Sequence, residues 1–79
     1  MLRTFVKTAA IAVGDHTVHV RYFELRTERG GRRYSAEILL GSGDRIIIDD
    51  DSITNLETRA ARLVPATLLS RTLARVTAA

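Results

Sequence analysis

The run Ile46-Ile47-Ile48-Asp49-Asp50-Asp51-Ser52 constrains this chain more than any other stretch. Three successive β-branched residues suit a buried strand, where stiff branched side chains pack well. Three carboxylates and a hydroxyl then suit the opening of a helix. Its positive end attracts acids, and its free N–H groups need a side-chain acceptor. The junction therefore separates a β half from a helical half.

Glycine punctuates the β half. Gly14-Asp15 separates residues 2–13 from 16–27, Gly30-Gly31 separates these from 32–40, and Gly41-Ser42-Gly43-Asp44 separates these from 45–49. Such pairs supply the positive φ of tight hairpins. The connections are too short for a parallel return, which needs a dozen or more residues, so the pattern predicts four strands in an antiparallel meander. In the third strand Tyr34, Ala36, Ile38 and Leu40 share one face and Ser35 and Glu37 the other. In the second, Val18, Val20 and Tyr22 share a face while Phe23 and Leu25 fall opposite. A bulge at Tyr22-Phe23 is expected to return them to the core; without it they lie outside, beside Arg21.

The helical half carries two apolar stripes. Ile53, Leu56, Ala60 and Leu63 form the first; Ala66, Leu69, Leu73 and Val76 repeat its spacing. On one straight helix at about 100° per residue the two would point roughly 140° apart. Pro65 stands between them, disfavours helical geometry at Val64 and suits the first turn of a new helix. The expectation is two helices, about 52–63 and 66–76, re-aimed so that both stripes find cover. The expected fold is α+β: one domain over 1–79, a four-stranded antiparallel meander followed by two C-terminal helices packed on one face.

A chain of 79 residues buries only about 60% of its unfolded surface. With no cysteine, neither a disulfide nor a thiolate metal site supports it. Homodimerisation would add apolar burial. No apolar run approaches the roughly twenty residues of a membrane span. The opening stretch, with Arg3, Lys7 and the run Ala9-Ala10-Ile11-Ala12-Val13, has some features of a signal or transit peptide. Its apolar run is too short and ends at a turn signal, so a first strand is expected and the cytoplasm is the default location.

Charge is segregated. Residues 1–33 carry net +4, residues 34–51 net −4 and residues 52–79 net +3, for a total of +3. Within the first block Arg26, Arg29, Arg32 and Arg33 surround a hairpin tip that also holds Glu28. With Arg21 these guanidiniums are candidates for contact with phosphates or an acidic partner, against the plainer reading of a solvated turn. His19, Arg21 and Phe23 offer a second candidate, cations interleaved with aromatics on a sheet face. Four aromatics in all make a sparse stacking platform.

The Asp49–Asp51 cluster lacks the glycine and the distal Glu of a calcium loop. It reads as a helix start, with Asp51 or Ser52 as cap and Thr54/Glu57 as a further capping box. His16 and His19, three apart on a strand, face opposite ways and cannot grip one metal. No nucleophile elbow, phosphate loop or dinucleotide-binding glycine pattern is present, and no serine has an identifiable base. No enzyme activity, metal or cofactor is expected.

The stretch from Pro65 presents Leu68 beside Leu69, Leu73 and Val76, a wider apolar arc than one sheet contact needs. The leading expectation is a small non-enzymatic interaction module, an adaptor or inhibitor. It would bind a protein partner, or itself, through the Arg-rich hairpin and the apolar C-terminal helix. The alternatives are a nucleic-acid-binding domain using Arg21, Arg26, Arg29, Arg32 and Arg33, and an accessory subunit of a larger complex.

Overall fold

The structure, a computed structural model, describes residues 2–78, with side chains described through Ala74. Strand β1 spans Leu2–Val13, β2 His16–Arg26, β3 Arg32–Gly41 and β4 Asp44–Asp50; one helix, α1, spans Ile53–Ala78. The strands form a single antiparallel sheet in the order β1-β2-β3-β4. Gly14, at φ 60°, makes the two-residue turn that pairs Val13 with His16. Gly43, at φ 72°, does the same service between β3 and β4. Both positions demand a left-handed backbone that a residue with a Cβ adopts only under strain.

Strand alternation builds the core. Val18, Val20 and Tyr22 of β2 and Ala36 and Ile38 of β3 are buried beneath Leu56, Ala60 and Val64 of α1. Ile11, Val13, Ile46 and Ile48 from the outer strands pack around them. Full burial of a side chain such as Leu56 or Ile38 contributes about 1.5–3 kcal/mol. Burial also pushes the Tyr22 hydroxyl pKa up, and the nearby Glu57 carboxylate adds to it.

Two expectations are corrected. The first concerns the bulge, which lies in β1 between Phe5 and Lys7 rather than at Tyr22-Phe23. β2 is an interior strand with partners on both sides, so an extra residue there would disturb two ladders; at the β1 edge it disturbs one. Tyr22 therefore enters the core, while Phe23 and Leu25 stay on the outer face, opposite Phe5 and Arg3.

The second concerns the helix. There is one, not two, and Pro65 lies inside it. Proline removes a hydrogen bond to the carbonyl four residues back, a cost of about 3 kcal/mol or more in a helix interior. Here Pro65 and Ala61 are both exposed, so water can satisfy that carbonyl. Leu56, Ala60, Val64 and Thr67 meanwhile continue unbroken along the buried side. Because the helix does not restart, the second apolar stripe is not re-aimed at the sheet.

Candidate functional site

The acidic junction is a helix cap. Ser52 Oγ accepts from the Asn55 N–H at 3.2 Å, and Asp50 Oδ1 accepts from the Ser52 N–H at 3.0 Å. Arg59, one turn and a half into α1, reaches back to Asp50 Oδ2 at 3.2 Å and to the Asp49 carbonyl at 2.7 Å. The Asp50 carboxyl sits below its ordinary pKa, chiefly because of the Ser52 N–H, with Arg59 assisting against the opposing effect of burial. Asp51 pairs with Arg33. The three carboxylates thus diverge, and among the described residues no group of three His, Cys, Asp or Glu side chains converges on a metal position. Thr54 and Glu57 do not form the expected capping box: Glu57 pairs with Lys7 of β1 at 2.5 Å.

The five arginines singled out from the sequence do not form one surface. Strand alternation puts Arg26 and Arg32, directly opposite one another, on the helix side of the sheet and Arg21 and Arg33 on the other. Arg26 and Arg32 share Glu24, at 3.5 and 3.7 Å. Arg29 occupies the tip of the loop, which is closed by bonds from the Gly30 N–H to the Thr27 carbonyl and from the Gly31 N–H to Thr27 Oγ1, both 3.0 Å. Arg21 belongs to a different cluster.

That cluster occupies the sheet face opposite the helix. Glu37 lies directly across from Arg21, and its side chain is only 4% exposed although, among the described residues, no helix covers this face. Two guanidiniums lie against it. Arg21 Nη2 approaches Oε1 at 2.5 Å, in the geometry of charge pairing rather than of an aligned hydrogen bond. Arg45 Nη1 donates to Oε2 at 2.9 Å. Burial alone would raise the Glu37 pKa; the close approach of the Arg21 guanidinium, then the charges of Arg45 and Arg3, outweigh it and hold the carboxyl below its ordinary value. Arg3 itself stacks on Phe23, its guanidinium carbon 3.6 Å from the ring centroid. Phe5 meets Phe23 edge to face, centroids 5.8 Å apart and planes at 71°. His19 shares this face; His16 lies on the other, at the β1–β2 turn.

Sequence reasoning missed Arg3, Phe5, Glu37 and Arg45. One signal was available: counting outward from a loop over residues 27–31 pairs Arg21 with Glu37. The position of Phe5 was hidden, because it depends on which strand carries the bulge.

The C-terminal segment divides as well. Leu68 is half-buried against the core, so it supports the fold rather than an outer surface. Leu69 and Leu73 are 60% and 57% exposed. The Val76 side chain lies outside those described. Arg71 clamps the helix to the start of β4 through two bonds to Asp44, at 3.0 and 3.1 Å, and Asp44 holds the Arg71 pKa above its ordinary value. Beyond Arg71 the helix runs on for about 10 Å. Next to the exposed leucines, Ile48, Arg59, Arg62, Leu63 and Ala66 line an open groove between α1 and β4. Ala66 belongs both to this groove and to the exposed stripe.

Comparison with known protein families, with curated proteins and with solved structures finds no match. Among the described residues no helix is long and apolar enough to cross a membrane.

Proposed function

We propose that the protein is a small non-enzymatic interaction module that docks another protein chain through the exposed ridge Ala66-Leu69-Leu73 of α1. The observation that carries this reading is the continuity of the helix across Pro65. A continuous helix has two apolar sides: Leu56, Ala60 and Val64 bury one against the sheet, and Leu69 and Leu73 hold the other in solvent. The 3- and 4-residue spacing suits ridge-into-groove packing against a second helix, and a second copy of this chain meets that need across a two-fold axis. Arg59 and Arg62, which line the groove beside Ala66, would favour an acidic rim on the partner. A place as an accessory subunit of a larger complex would use the same ridge.

The hairpin contributes less to this reading than its composition suggests. Arg26, Arg32 and Arg33 are already matched by Glu24 and Asp51, and the tip lies at the end of the sheet where the helix begins, remote from Leu73. Sedimentation velocity over a concentration series, with cross-linking in host extract, tests the proposal using wild type and Leu69→Ser/Leu73→Ser. Concentration-dependent self-association or a specific cross-linked chain, lost in the double variant, is expected. A monomer at every concentration whose cross-links the double variant reproduces would overturn it.

A further inference from the structure

We infer that the sheet face opposite the helix is a binding site for single-stranded nucleic acid, built from Arg3, Phe5, Phe23, Arg21 and Arg45 on a buried Glu37. The inference is independent of the helix ridge, since it concerns the opposite side of the molecule.

The buried carboxylate is the first observation. An acid lying under two arginines, on a face that no layer covers among the described residues, does not hide a charge from water; it fixes the arginines. Each guanidinium carries five N–H donors in a rigid fork. Glu37 engages a minority of them, and both side chains remain about half exposed or more. The two cations exceed the one acid, and Arg3 adds a third charge whose field reaches Glu37. The result is a preorganised cationic patch suited to phosphate oxygens, which arginine forks recognise bidentately.

Aromatic surface in register with that patch is the second observation. Phe5 and Phe23 face each other across β1 and β2, one row from the Thr8–Arg21–Glu37 row. Phe5 is 56% exposed, and the Arg3 guanidinium already lies over the Phe23 ring, as a base would. Flat faces beside fixed cations suit unpaired bases, because stacking needs bases free of a duplex and tolerates any sequence. The acids of the same face stand apart: Asp49 is at the β4 edge opposite Ser35, and Asp51 is held by Arg33. Small residues, Thr8, Ala10 and Ala12, keep the adjoining part of β1 low.

The β1 bulge makes this arrangement. By taking up one residue between Phe5 and Lys7, it turns Phe5 to the outer face, while Lys7, in step with Ala9 and Ile11, stays on the helix side and meets Glu57. Without the bulge, alternation would put Phe5 on the helix side with Lys7, Ala9 and Ile11.

Fluorescence anisotropy with a labelled oligothymidine of about fifteen nucleotides, titrated between about 50 and 200 mM salt, tests the site. Wild type is expected to bind with affinity that falls as salt rises, at a log–log slope of about −2 for three phosphate contacts. Arg45→Ala, which leaves Arg21 on Glu37, is expected to make the slope shallower by about 0.7. Phe5→Ala, at an exposed position, is expected to weaken binding roughly tenfold with the slope unchanged. Arg29→Ala at the hairpin tip is expected to change neither. No binding at low salt, or binding that Phe5→Ala and Arg45→Ala leave intact, would overturn the inference. So would a change of oligomeric state in Phe5→Ala without loss of oligonucleotide binding, since the face would then belong to a protein contact.

Discussion

Arg21 and Glu37 face one another across β2 and β3 in strict register, and the Glu37 carboxylate is buried against the Arg21 guanidinium on a sheet face that, among the described residues, no other element covers. The pair is completed by Arg45 from the neighbouring strand. A layer of side chains thus does on this face what a second layer of backbone does on the other.

That arrangement makes stability depend on acid pH. The pKa values of Glu37 and Asp50 are both depressed in the fold. Their stabilising contribution is complete above the unfolded carboxyl values, about 4, and is lost as pH falls through the lower folded values. Thermal melts should be nearly level from about pH 7 to 5 and fall below about pH 4. Glu37→Gln should show a shallower acid fall than wild type; identical acid profiles would remove Glu37 from the account.

The helix cap should be measurable by itself. Ser52→Ala removes the acceptor for the Asn55 N–H and should cost about 1 kcal/mol in chemical denaturation. An unchanged midpoint would mean that Asp50 and Arg59 hold the first turn without it.

Pro65 is tolerated rather than required. Pro65→Ala restores an N–H to the helix interior at an exposed position and should stabilise the fold by about 1–3 kcal/mol, raising the melting temperature by several degrees. A lower melting temperature would show that the proline shapes the helix against the sheet.

The strands and their order were legible in the sequence because the punctuating glycines are also the positive-φ residues: Gly14, Gly30 and Gly43 all adopt the left-handed backbone. The inward faces of β2 and β3 followed from alternation. The bulge was not legible, since Tyr22-Phe23 and Phe5-Lys7 are equally plausible places for it until the pairing shows that β1 is an edge and β2 is not. Nor was the unbroken helix, because the cost of Pro65 depends on whether its ring and the Ala61 carbonyl face water. Glu37 read as a solvent-side residue; its burial follows from long guanidiniums crossing from β2 and β4, which alternation within β3 cannot reveal.

The two sides of α1 should respond oppositely to substitution. Leu56 is completely buried, and Leu56→Ala should cost about 2–5 kcal/mol, a large share of the roughly 5–15 kcal/mol of a typical domain. Leu69→Ser and Leu73→Ser, at exposed positions, should each change stability by about 0.5 kcal/mol or less. A large loss at Leu73 in dilute solution would place that side chain in the monomer's core instead.

Sedimentation velocity of wild type beside Leu69→Ser/Leu73→Ser, each over a wide concentration series alone and with host extract, tests most directly whether the second side of α1 is a docking ridge. The expected result is a wild-type boundary that shifts to faster sedimentation, through self-association or a bound chain, and a folded double variant that stays at the monomer position. Superimposable boundaries for the two proteins under every condition would contradict it.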